Sequence, residues 1–154
     1  MPARAYAFDA YGTLLDVHAA IGRHRDRIGA DAAAFSELWR VKQIEYSWTH
    51  SLLGHYVPFW TLTERALDFC FAKFPGVDRA LKPALLDAYR QLGAYADARS
   101  CLEALRKRGT RTAILSNGST DMLLSAVEAA RFTDVLDFVL SVDEIRSCKP
   151  GRAV

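Results

Sequence analysis

Apolar positions along the chain change their period twice. The opening run Tyr6, Ala7, Phe8 is short and unbroken and stops at Asp9, ahead of a turn marked by Gly12. That is the pattern of a buried strand breaking into a tight loop. Beyond Leu15 the period becomes helical and stays so for about eighty residues. Phe35, Leu38, Trp39, Lys42, Tyr46, Leu52, Leu53 and Tyr56 recur at helical spacing, as do Leu62, Ala66, Leu67, Phe69 and Cys70. Strand and helix then alternate. Residues 100–107 place Cys101, Leu102 and Leu105 on one helical side, Gly109 supplies the stop, and residues 112–115 follow as a buried strand. After the loop Ser116, Asn117, Gly118, Ser119 comes a helix over about 121–130 and a third strand over 138–141.

Strand, helix, strand, helix, strand implies a parallel sheet with right-handed crossovers. The expected fold class is therefore α/β, a Rossmann-like parallel sheet core with an inserted helical cap. The core comprises residues 1–15 and 96–154 and the cap residues 16–95. Nine of the 17 aromatic residues fall between Trp39 and Phe74, a density that serves either a small core of the cap or the wall of a pocket. Asp9 is then placed at the carboxyl end of a parallel strand, where open α/β sheets locate their chemistry.

Bulk properties narrow the class. At 154 residues the chain can bury one good core, with at most a small second module. With 51% apolar and 25% charged residues it reads as a soluble globular protein. A net charge of +2 is too small to suggest nucleic acid, and the run Arg106, Lys107, Arg108 before Gly109 fits a helix C-terminus. No apolar stretch approaches the ~20 residues of a membrane span, and Arg4 and Asp9 interrupt any leader-like apolar run. Three widely spaced cysteines, Cys70, Cys101 and Cys148, suit reduced thiols in the cytosol and have no metal-ligand partners at useful spacing. His18, His24, His50 and His55 likewise lack a paired carboxylate or metal spacing.

Three short motifs in order carry the chemistry. The run Phe8-Asp9-Ala10-Tyr11-Gly12-Thr13-Leu14 resembles the first motif of the haloacid dehalogenase superfamily, Ser116-Asn117-Gly118 the second, and Lys149-Pro150 the third. Tyr11 narrows the resemblance: the superfamily's phosphatases carry a second Asp at that position, and its 2-haloacid dehalogenases carry Tyr. Leu38-Trp39-Arg40, Lys42-Gln43, Glu45-Tyr46-Ser47-Trp48 and Asp16-Val17-His18 are similar to the cap signature of the L-2-haloacid dehalogenases, and Leu140-Ser141-Val142-Asp143 matches as well.

The resemblance implies a covalent hydrolysis in which Asp9 is the nucleophile, Thr13 orients it and Lys149 favours its ionised form. It implies that Arg40 and Asn117 receive the halide, that Ser116 and the backbone N–H groups of Ala10 and Tyr11 hold the substrate carboxylate, and that Tyr11, Phe59 and Trp60 form the apolar wall. No metal or other cofactor is implied. The expected partners are a small 2-haloalkanoate and a halide ion, with a homodimer for the full-length form, cytoplasmic, and neither nucleic acid nor membrane. Chains of that family continue past the Lys-Pro motif with further residues that position the hydrolytic water, so the reading includes a truncated chain whose Tyr6-to-Phe8 strand lies at a sheet edge with its apolar side chains incompletely covered. The alternatives weighed with it are a superfamily phosphatase and a truncated non-catalytic interaction module.

Overall fold

The computed structural model describes residues 5–154, so Arg4 lies outside the described residues. Three strands, β1 (Ala5–Phe8), β2 (Arg111–Ser116) and β3 (Phe138–Ser141), form a parallel sheet in the order β1-β2-β3. Phe8 is paired with Ile114, and Ser116 with Ser141. This register brings the loops after β1 and β2 to the same end of the sheet, which is what places Asp9 and Ser116 side by side.

Seven α-helices surround or cap the sheet: α1 (Ala19–Gly22), α2 (Arg25–Ile28), α3 (Ala32–Leu52), α4 (Phe59–Lys73), α5 (Lys82–Arg90), α6 (Ala98–Lys107) and α7 (Thr120–Ala129), counted among the described residues. Short 3-10 turns occupy Gly29–Asp31, Arg79–Leu81 and Val142–Ile145. Helix α6 packs on β2 and α7 on β3, while α3 pairs with α4, and α1 packs on α3 and α5. Strand and helix alternate as the sequence pattern requires, and α6 ends just ahead of Gly109.

Helix α3 buries Phe35, Trp39, Gln43 and Ser47 at four-residue steps. The expected stripe through Lys42 and Tyr46 is thus displaced by one position, because a helix repeating every 3.6 residues drifts steadily against its neighbour. Phe35 meets the edge of Phe71 with ring centroids 5.4 Å apart, and Trp39 meets Tyr89 at 5.0 Å. Each such buried ring stabilises the helical layer by about 1.5–3 kcal/mol through burial. The helix stops at Leu52, so Tyr56 lies beyond it, and Leu52 is 89% exposed rather than part of the packed face.

Burial along the strands follows the cover each one has, as the edge position expected for Tyr6 to Phe8 requires. Only β2 is buried along most of its length. Along β1 the side chains are exposed or half-buried, because β1 has a strand neighbour on one side only among the described residues. It is an edge strand with incompletely covered apolar side chains, and Phe138 and Leu140 on β3 are exposed as well.

Candidate active site

The loop after β1 is built around the Ala10 carbonyl. Ala10 O accepts N–H bonds from Thr13, Leu14 and Leu15, at 3.3, 3.0 and 2.9 Å. Gly12 takes a φ of +88°, a left-handed conformation that glycine adopts without strain. No bond from the Ala10 or Tyr11 N–H occurs among the backbone hydrogen bonds of this turn. Asp9 sits just ahead of it at the edge of a cavity of about 360 Å³.

Lys149 reaches Asp9 from the far end of the described chain. Its Nζ donates to Asp9 Oδ1 at 2.9 Å and to the Leu115 carbonyl at 2.7 Å, so the ammonium is tied to both strand ends. Asp9 Oδ2 accepts no hydrogen bond among the described residues. Asn117 clasps the Lys149 backbone: its Oδ1 accepts from Lys149 N–H at 2.7 Å, and its Nδ2 donates to Lys149 O at 3.4 Å and to Ser47 Oγ at 3.5 Å. Ser116 is buried, with Oγ accepting from Gly118 N–H at 3.2 Å.

The opposite wall comes from the helices. Arg40, on α3, donates from Nη2 to the Tyr11 carbonyl at 2.7 Å and makes no salt bridge among the described residues. Tyr11 is buried, with its ring stacked on Tyr89 at 5.6 Å and on Phe59 at 6.2 Å. Burial first, and then neighbouring Tyr89, push the Tyr11 phenol upward from its ordinary acidity, so it is neutral at any physiological pH. Its hydroxyl has no partner among the described residues. A Cβ at position 118 would lie 2.7 Å from the Tyr11 ring, so Gly118 is what permits the close approach of the two loops.

Of the residues expected at the site, the structure gathers Asp9, Tyr11, Arg40, Phe59, Ser116, Asn117 and Lys149 around the cavity. Thr13 is not among them: it is exposed, and its hydroxyl forms no bond to Asp9, because the turn at Gly12 carries residue 13 away from the carboxylate. Trp60 is also absent from the lining and stacks instead under the Arg90 guanidinium, 3.9 Å from the ring centroid. Adjacent positions on α4 point about 100° apart, so Phe59 and Trp60 cannot face one pocket. Ile44, Ser47 and Trp48 complete the wall in its place. Their signal was the helical spacing from Arg40, at four, seven and eight residues.

Comparison with known proteins places this geometry. The haloacid dehalogenase-like hydrolase family matches residues 3–153. The chain is similar to (S)-2-haloacid dehalogenase 1 of Pseudomonas sp. (strain CBS-3), 52% identical over 99% of this chain and 68% of the relative. It is also similar to (S)-2-haloacid dehalogenase 4A of Burkholderia cepacia, 49% identical over 98% of this chain and 66% of that one. The chain thus spans about two thirds of the length of the curated relatives it matches. Among solved structures, a dehalogenase in an intermediate complex superposes with a TM-score of 0.92 at 47% identity, covering 96% of this chain and 66% of that one. The L-2-haloacid dehalogenase of Xanthobacter autotrophicus with chloropropionic acid covalently bound does so at 0.86 and 38%, covering 96% and 60%.

Proposed function

The chain belongs to the (S)-2-haloacid dehalogenases, within the haloacid dehalogenase-like hydrolases, and on that premise we propose that it carries the nucleophilic half of a hydrolytic dehalogenation of L-2-haloalkanoic acids. The observation that carries the reading is one carboxylate with its two oxygens in different states. Oδ1 of Asp9 is held by Lys149, and Oδ2 is unbonded beside a cavity whose other wall presents the Arg40 cation.

Asp9 Oδ2 attacks C2 of the substrate from the side opposite the halogen. The new C–O bond forms as the C–X bond breaks, and the bonding pair leaves with the halide, inverting the centre. No proton is needed by that leaving group, which is why a neutral, buried Tyr11 stands where a general acid would otherwise be required. Arg40 suits the departing anion because a guanidinium is always charged, multiply donating and weakly hydrated. The substrate carboxylate is assigned to Ser116 and to the Ala10 and Tyr11 N–H groups, which together form an anion-binding concavity. Asn117 serves the halide with Nδ2 while holding Lys149 by Oδ1. Water then adds to the carbonyl carbon of the Asp9 ester. The acyl C–O bond breaks, the carboxylate is regenerated, and the D-2-hydroxy acid leaves.

The helical layer of residues 16–95 acts as a cap over a core of residues 1–15 and 96–154. The whole protein is proposed to be a homodimer, with Val41 and Leu52 as exposed apolar residues on α3, and cytoplasmic, in keeping with three free cysteines among the described residues. Among those residues no helix is long and apolar enough to cross a membrane.

The test is halide release from each enantiomer of 2-chloropropionate, with and without a divalent-metal chelator. Release from the L enantiomer alone, yielding D-lactate and unaffected by chelator, is the expected result. Release that needs magnesium would return the site to phosphatase-like chemistry.

A further inference from the structure

A second cavity, of about 130 Å³, opens between the end of α3 and the segment that follows β3. It shares no lining residue with the cavity at Asp9. Its chemistry is one-sided. His50, His55 and Arg146 line it, together with the Tyr56 and Ser147 hydroxyls and the buried Cys148, and no Asp or Glu does. Asp143, close by in sequence, lies outside the lining and accepts a hydrogen bond from the Tyr56 hydroxyl. Arg146 makes no salt bridge among the described residues. Its guanidinium lies over the Tyr56 ring, 5.7 Å from the centroid, a contact that requires none of its N–H donors. Residue 146 also holds a left-handed backbone with φ +49°, where glycine or asparagine would be less strained, so an arginine is kept there at a cost. His50 Nδ1 is buried without a hydrogen-bond partner among the described residues. The histidines are not spent on the end of α3, because the N–H groups of Leu53, Gly54 and His55 already meet the carbonyls of Thr49, Ser51 and His50.

We propose that this cavity binds a small oxoanion, a free phosphate or the carboxylate of a small acid, through the Arg146 guanidinium and the imidazole N–H groups of His50 and His55. The proposal stands apart from the dehalogenase reading, since it uses no residue of that site. A guanidinium presents paired N–H donors that match two oxygens of one carboxylate or phosphate. An imidazole carries at least one N–H in either protonation state, and the Ser147 hydroxyl is a further donor. The volume admits one such group and is well below the roughly 300 Å³ at which pockets for larger ligands begin. A metal ion is the other chemistry open to two histidines and a cysteine. The described residues contain no group of three such ligands placed to hold one, and the Arg146 charge would repel it. An anion in this cavity ties the end of α3 to residues 146–148, which lead directly into Lys149 and its 2.9 Å contact with Asp9.

Line broadening of the phosphorus NMR signal of inorganic phosphate reads binding directly. The titration is made on the Arg40→Gln protein, which lacks the cation of the cavity at Asp9, and on Arg40→Gln/Arg146→Gln. We expect saturable broadening at millimolar phosphate in the first and binding at least about tenfold weaker in the second, as befits a lost hydrogen bond to a charged group. Arg146 and His55 are both exposed, so their replacement leaves the fold intact, and adding His55→Ala in place of Arg146→Gln should weaken binding by a smaller factor. Acetate that displaces phosphate at equal concentration would assign the site to small carboxylates, and acetate that fails to do so would assign it to phosphate. Chloride that displaces phosphate as readily as acetate does would show a bare attraction of charges and overturn the oxoanion assignment. No saturable broadening in Arg40→Gln, or equal broadening with and without Arg146, would overturn the proposal as a whole.

Discussion

The two walls of the cavity treat charge in opposite ways. On the sheet side, the Asp9 carboxylate has an opposite charge 2.9 Å away and is partly open to solvent. On the helical side, the Arg40 guanidinium donates to the neutral Tyr11 carbonyl, beside the stacked rings of Tyr11 and Tyr89. In the proposed reaction the contrast reflects what each group must do. A nucleophile has to be ionised before the substrate arrives, so pairing it with an ammonium preserves its reactive form. A receptor for a departing anion has to keep its charge unspent until the anion exists, and neutral acceptors fix its direction without satisfying it.

Substitutions that exchange these two arrangements should have graded effects. The largest belongs to the sheet side. Asp9→Asn should lower halide release by at least about a thousandfold, because an amide oxygen is a far poorer nucleophile. Lys149→Met should lower it by about a hundredfold, a loss of the size seen when one preorganised charge contact is removed. Steady-state halide release measures both, and a Lys149→Met rate near that of the unsubstituted protein would show that the 2.9 Å ion pair is not what prepares Asp9.

Arg40→Lys keeps the charge and loses the planar fork that reaches the Tyr11 carbonyl and, in the proposed reaction, the halide. A tenfold to hundredfold fall in halide release is expected, on the order of 1.4 to 2.7 kcal/mol of lost transition-state stabilisation. An unchanged rate would make Arg40 an ordinary surface cation.

A smaller effect comes from the contact that joins the two walls. Gly118→Ala would press a methyl group into the Tyr11 ring at 2.7 Å, and that ring is clamped between Phe59 and Tyr89. Overpacking of this kind costs about 1–3 kcal/mol, visible as a lowered thermal midpoint. An unaltered midpoint would mean that the aromatic stack is looser than its geometry indicates.

The smallest effect concerns a solvent-exposed pair that belongs to neither wall. A hydrogen bond from Ser119, and then Arg90 at 3.0 Å, hold the Asp121 carboxyl below its ordinary range. A group depressed in this way contributes stability above its unfolded value of about 4 and loses it as pH falls through the lower folded value. The stability difference between the unsubstituted protein and Asp121→Asn should therefore shrink between about pH 5 and about pH 2, and shrink further in salt. A difference that is constant with pH would place the contribution of Asp121 elsewhere.

What could be read in advance divides along the same line as the two walls. The sheet side is local in sequence: Asp9 and Ser116 end strands, Lys149 precedes proline, and the strand periods mark their own boundaries to within a residue. The helical side is legible only in outline. Hydropathy separates Phe59 from neither Trp60 nor its own solvent face, because which side of α4 meets the cavity is set by packing against α3. Gln43, Thr63 and Tyr89 carry polar atoms, so their complete burial follows from partners 20 and 46 residues apart in sequence that no local pattern connects. Strand β1 has the period of a buried strand yet is exposed along most of its length, since cover is a property of its neighbours and not of its own side chains.

The proposed chemistry requires that Asp9 itself bond to the substrate. Single turnover in isotopically labelled water, with enzyme in excess over L-2-chloropropionate, followed by mass analysis of the peptide containing Asp9, answers this directly. Hydrolysis of an Asp9 ester at its carbonyl carbon puts the label into the Asp9 carboxylate, leaves the first product unlabelled and delivers label to product only in later turnovers. Label that enters the first product directly, with Asp9 never labelled, would mean that water attacks the substrate itself, and the paired carboxylate at the end of β1 would then be a base and not a nucleophile.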